Sequence, residues 1–288
     1  MFKSYLFIFF LFCFKFPFAY ELHMADSHGP ISVMGDHIHK KDEFMFSYRF
    51  SKMKMNEMFN GTKSLTLDEI MSTPNSASNG LGTYMNAPTK MQMDMHMFGA
   101  MYAPSNSLTL MVMTNYSRKE MTQQRNIMGG KKKFRVRSSG LGDMSVSGLY
   151  KLYNSANFKS HSGFGVSFPT GSINKRDATP ASSNGRLGYA MQNGSGTYDQ
   201  FIFLNSLKKY RKTKLGSQIY YKISAFGKNS KGYKHGNTFI AKVWTSFRLI
   251  DFFSTSLNIN YTKKSKMKGT DNEMNPRMSP VMDSRNQG

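Results

Sequence analysis

Methionine beside histidine is the most pointed chemistry in this 288-residue sequence. Met34, Asp36, His37 and His39 share one short segment, flanked by His23, Met24, His28 and Met45. Thioethers suit Cu(I), imidazoles suit Cu(II), Zn and Ni, and a His-x-His pair can hold a divalent ion with help from a nearby carboxylate. A second group, Met91, Met93, Met95, His96, Met97 and Met101, follows at strand spacing. Two readings stand open: a site for Cu or Zn built on Met34, Asp36, His37 and His39, or flexible apolar filler in a chain with 24 methionines.

Other chemistry finds little footing. The sequence has no Gly-x-Ser-x-Gly elbow, His-Glu-x-x-His pair, phosphate-cradling glycine loop or paired acids in a folded context. The expectation is therefore a protein that is not an enzyme. Lys and Arg number 39 against 17 Asp and Glu, a net charge of +22. The basic clusters at 131–137, 208–214 and 263–268, if placed on external loops, would bind lipopolysaccharide phosphates or steer anionic solutes. They lack an aromatic stacking surface or a recognition helix, so the charge does not read as nucleic-acid binding.

The elements that must position these residues carry thin, distributed hydrophobicity. The apolar fraction is 39 %, below the ~45–50 % of an ordinary globular protein. After the first twenty residues no run of apolar side chains is long enough to cross a bilayer as a helix. Lys3, the apolar run 5–14 and the stretch 16–20 around Pro17 read as a secretory signal peptide over 1–20, with Cys13 inside it. Residues 21–41 then form a periplasmic Met/His-containing segment, and 42–288 an outer-membrane β-barrel.

Period-2 alternation carries the barrel expectation. In 42–51, Phe44, Phe46, Tyr48 and Phe50 alternate with Met45, Ser47, Arg49 and Ser51; in 91–102 the methionines alternate with Gln92, Asp94 and His96. Nine strands are visible, at 42–51, 91–102, 108–116, 141–153, 158–168, 197–207, 215–226, 237–249 and 252–262. Tight turns at 103–107, 154–157, 208–213 and 249–251 interleave with long links at 59–89, 117–137, 169–195 and beyond 263. A soluble sandwich has no reason to sort its loops this way. A transmembrane antiparallel up-and-down barrel does, with brief periplasmic turns and extended external loops. The expected lumen wall is Ser47, Arg49, Gln92, Asp94 and His96, with an Arg49–Asp94 pair stiffening it and the methionines of 91–101 facing lipid. Bacterial single-chain barrels close with an even strand count, so nine predicts a total of 10 or 12.

The segments 33–41 (VMGDHIHKK), 91–113 (MQMDMHMFGAMYAPSNSLTLMVM), 139–153 (SGLGDMSVSGLYKLY), 165–177 (GVSFPTGSINKRD) and 191–201 (MQNGSGTYDQF) resemble outer-membrane transporters grouped as MetA-pathway of phenol degradation proteins. The resemblance runs in family order from about residue 29 to the end. It implies an exported outer-membrane barrel that passes a small-molecule solute, inserted by the barrel-assembly machinery and surrounded by outer-membrane lipid and lipopolysaccharide. It also implies closing strands beyond the nine, so 42–288 is expected to be a barrel truncated before closure, with its C-terminal strand or strands missing. The other functional expectations are metal handling through the Met/His segments, and a structural or adhesive barrel acting through its long loops.

Overall fold

Successive residues of a strand point to opposite faces, so a segment whose two faces meet different media must alternate, as these do. The computed structural model describes residues 28–60, 63–74, 82–127, 130–224, 227–274 and 277. The signal-peptide stretch 1–20, and His23 and Met24, lie outside the described residues.

Ten strands form one antiparallel sheet. They are β1 (Phe44–Met55), β2 (Asn86–Ser105), β3 (Leu108–Ile127), β4 (Gly130–Leu141) and β5 (Met144–Asn154), then β6 (Phe158–Phe168), β7 (Asp199–Lys209), β8 (Thr213–Ser224), β9 (Thr238–Ile250) and β10 (Phe253–Lys264). The order is β1-β2-β3-β5-β6-β7-β8-β9-β10, with β4 beside β3 off this path. This is up-and-down topology, and all nine expected strands lie on it. Among the described residues β1 pairs only with β2 and β10 only with β9, so the sheet is a curled half-barrel with two edges.

The tenth strand, β4, corrects the expected loop at 117–137. Beyond Tyr116 the hydrophobic contrast between faces fades while the ladder continues, pairing Tyr116–Ile127 with Gly130–Leu141. Cross-strand charge replaces apolar contrast there: Glu120 meets Arg135 at 3.3 Å and Arg137 at 2.8 Å. The return strand breaks at Gly142, whose N–H donates to the Asn115 carbonyl at 2.8 Å. β5 then takes up pairing with the other half of β3.

Short turns at 106–107, 155–157, 210–212 and 251–252 share one end of the sheet; the long links 56–85, 169–198 and 225–237 share the other. The basic cluster 208–214 consequently lies at the short-turn end, as its tight-turn reading implies, opposite 131–137 and 263–268. A short helix, α1 (Leu67–Ser72), sits in the first long link. No helix among the described residues is long and apolar enough to cross a membrane.

The convex face is an apolar belt. Phe44, Phe46, Tyr48 and Phe50 are 49–76 % exposed, joined by Leu110, Val112, Phe164, Ile202, Ile219, Val243 and Ile259. A contiguous exposed belt of this kind needs an apolar partner, and lipid supplies one along a transmembrane barrel. The concave face packs Met101, Met111, Leu149, Phe201 and Phe203 with Ile38, Met45, Met113 and Tyr220. Gly163 and Gly165 make room for the two phenylalanines, since a Cβ there would meet the Phe203 and Phe201 rings at 2.1 and 2.3 Å.

Candidate functional site

Residues 29–41 precede β1 and lie along the concave face. His161 on β6 donates from Nε2 to the Gly35 carbonyl at 2.8 Å, and Asn205 on β7 donates to the same oxygen. Gln218 on β8 holds the Met34 carbonyl at 2.9 Å, and Thr109 on β3 accepts the His39 N–H at 3.0 Å. Arg49 on β1 donates to the Ile31 carbonyl at 2.8 Å and the Val33 carbonyl at 3.1 Å. Lys242 on β9 reaches the Ser32 carbonyl, and Asn258 on β10 donates to its hydroxyl at 2.8 Å. One three-residue stretch therefore ties both edge strands of the half-barrel together. Sequence reading missed His161, Asn205 and Gln218; their only signal was a polar side chain on the strand face opposite the apolar one.

Strand register sets the wall. Directly paired residues share a face. Arg49 pairs with Met97 and Ser47 with Gly99, whereas Phe50 pairs with His96 and Lys52 with Asp94. Ser47 and Arg49 thus point to the concave side. Gln92, Asp94 and His96 point to the convex side, which corrects their expected place in the lumen. The methionines Met91, Met93, Met95, Met97 and Met101 line the concave side, which corrects their expected lipid exposure. The expected Arg49–Asp94 pair is absent from the described contacts: Asp94 approaches Lys52 at 3.9 Å outside, and Arg49 binds the internal segment. The physical reason is that polar convex residues lie beyond the apolar belt. His96 accepts from the Tyr48 hydroxyl at 2.8 Å and rests against Phe50, and past this level Lys52, Asp94 and Arg118 form a charged row.

The concave face is basic. Arg49, Lys119, Lys222, Lys242 and Lys264 share it, and its buried acid, Asp199, is met by Lys222 at 2.6 Å. Two cavities open at opposite ends. One of about 260 Å³ at the short-turn end is lined by His28, His37, His39, His161, Lys151 and Lys214, among others. One of about 460 Å³ at the long-loop end is lined in part by Lys119, Asp143, Lys222, His235 and Lys264.

Of the four expected metal ligands, Asp36, His37 and His39 come together and Met34 does not. The Arg49 guanidinium donates to the Met34 sulfur, away from the imidazoles. His37 Nδ1 lies 2.9 Å from Asp36 Oδ1, His39 Nδ1 lies 3.3 Å from Glu43 Oε2, and the two Nε2 atoms face each other at 3.2 Å. His28 stands edge-on to His37 with ring centroids 4.7 Å apart. Burial alone would raise the Asp36 pKa, but the hydrogen bond and charge of His37 and the Gly29 N–H outweigh it and hold the carboxyl well below the usual range. His39 is pushed below its ordinary value by burial and by His37.

A curled antiparallel sheet with an apolar belt outside and charged side chains among the apolar ones on its concave face belongs to the transmembrane β-barrel class. Within that class the chain belongs to the MetA-pathway of phenol degradation family, whose pattern matches residues 75–281. Among solved structures it is similar to an outer membrane channel from Pseudomonas putida F1, at 11 % identity and a TM-score of 0.51, covering 81 % of this chain and 76 % of that one. No curated protein matches the sequence.

Proposed function

We propose that this protein is an outer-membrane channel for small solutes, with a preference for anions. The observation that carries the reading is the contrast between faces: an apolar belt around the convex side, and a concave side bearing Arg49, Lys119, Lys222, Lys242 and Lys264. Polar and charged groups of one sign along a water-filled wall lower the barrier to the opposite ion and raise it to the like one. The family membership and the channel named in the similar structure support the same reading.

The test is reconstitution into planar bilayers and solute-loaded liposomes. Channel function predicts stepwise conductance and release of small solutes, with a reversal potential under a KCl gradient displaced toward that of chloride. Vesicles that stay sealed to every small solute would overturn the reading.

A further inference from the structure

We propose that His37 and His39 form a binding site for one borderline divalent cation, Zn(II) or Cu(II), at the short-turn mouth of the barrel. Each ring presents Nδ1 to a carboxylate, His37 to Asp36 at 2.9 Å and His39 to Glu43 at 3.3 Å. An ionised carboxylate only accepts hydrogen bonds, so each Nδ1 carries a proton, and in the neutral imidazole each Nε2 then keeps its lone pair. Those two lone pairs converge at 3.2 Å. Without something between them the arrangement is repulsive; a shared proton or a metal ion resolves it. The spacing matches the edge of a tetrahedral zinc site, about 3.3 Å for bonds of ~2.0–2.1 Å. A carboxylate behind each ligating imidazole is also how metal sites fix ring orientation and raise ligand basicity.

Two further observations support a site over an accident of packing. Asp36 is itself fixed by the Gly29 N–H at 2.7 Å, so the ring behind it is held from two sides. His28 stands edge-on to His37 with ring centroids 4.7 Å apart, which sets a third imidazole beside the pair. The donors are nitrogen and oxygen. With Met34 turned to Arg49, the set selects Zn(II) or Cu(II) over the thioether-loving Cu(I). The cavity beside the rings leaves room for water to complete the coordination.

The experiment is calorimetric titration of the refolded, tag-free full chain with Zn(II), Cu(II) and Cu(I), beside H37A/H39A and Glu43→Gln. One equivalent of Zn(II) or Cu(II) is expected, lost in H37A/H39A and weakened about 10–100-fold in Glu43→Gln, the usual effect of removing a carboxylate behind a ligand. Glu43 is part-exposed and glutamine keeps an acceptor for the Lys40 N–H at 2.9 Å, so this arm reads the site even if the double variant misfolds. The proposal is overturned by no binding to the native chain, by binding unchanged in both variants, or by Cu(I) bound more tightly than Cu(II).

Discussion

Asp143 grips Ser195 twice through one carboxylate oxygen, accepting from its N–H at 2.8 Å and its hydroxyl at 2.6 Å. The other oxygen accepts from the Gly171 N–H at 3.0 Å. Three segments far apart in the chain thereby meet where the β4–β5 return strand breaks. Gly171 and Gly194 pass so closely that a Cβ on Gly194 would sit 2.1 Å from the Gly171 carbonyl oxygen. Removing the acceptor leaves the Gly171 and Ser195 N–H groups unpaired, while the Ser195 hydroxyl keeps the Thr197 carbonyl at 3.1 Å, so Asp143→Ala is expected to cost about 1–3 kcal/mol. Urea unfolding in lipid vesicles measures it. Gly194→Ala should be at least as damaging, since backbone rather than a side-chain tip blocks the methyl group.

The long links are fastened to each other by a buried ion pair. Arg186 Nε donates to Asp271 at 2.8 Å, its Nη2 donates to the Ile173 carbonyl at 2.7 Å, and both charged side chains are at most 3 % exposed. Removing one partner of a buried pair strands the other, at a cost of about 3–5 kcal/mol. Arg186→Ala should therefore lower stability more than an apolar replacement of both, Arg186→Met with Asp271→Leu. Equal losses in the two variants would mean that water reaches Asp271 once the arginine is gone.

The capped helix α1 gives a pH dependence with a definite sign. The Lys63 ammonium, then the Thr66 N–H and hydroxyl, hydrogen-bond the Glu69 carboxylate and hold its pKa at about 2, against 4.5 for the free side chain. A folded-state pKa below the unfolded one stabilises the charged form. The contribution is complete above pH 4.5 and disappears as pH falls toward 2. Hydrogen exchange across 63–72, corrected for the intrinsic rate, should show protection falling over that window in the native chain. In Glu69→Gln the window should vanish.

How much of this was legible in the sequence depends on whether a residue's surroundings were local. The β1 phase was readable because Phe44, Phe46, Tyr48 and Phe50 contrast with Ser47 and Arg49 inside the bilayer. The β2 phase was not. Methionine is apolar yet lines the concave side, and Gln92 and Asp94 lie beyond the belt, where polar no longer means inward. His37, His39 and Asp36 were found because they are neighbours in the chain. His161 and Asn205, which hold Gly35 from more than a hundred residues away, could be placed only by the barrel's curl.

Charge on the concave face predicts selectivity. Lys264 points into the larger cavity beside Lys222, and Lys264→Glu changes the local charge by two units without touching the internal segment. The reversal potential under a KCl gradient should move toward the potassium value, by more at 0.05 M than at 1 M salt, because the Debye length shrinks from over 10 Å to about 3 Å. A shift that is independent of salt would indicate altered pore shape rather than electrostatics.

The internal segment predicts where the resistance lies. Met101, Met111, Phe201 and Phe203 pack against Ile38 of that segment on the concave face, so the segment is the expected obstruction to solute moving along that face. One of its anchors is the Gly35 carbonyl, bonded to His161 and Asn205. Replacing both donors with alanine should loosen the segment and raise single-channel conductance; deleting 29–41 should raise it further and abolish fluctuations between levels. Conductance unchanged by the deletion would move the barrier to the Met101–Phe203 cluster of the strands themselves. Truncating Phe203 to alanine, which empties the space over Gly163, would then be the change that opens the pore.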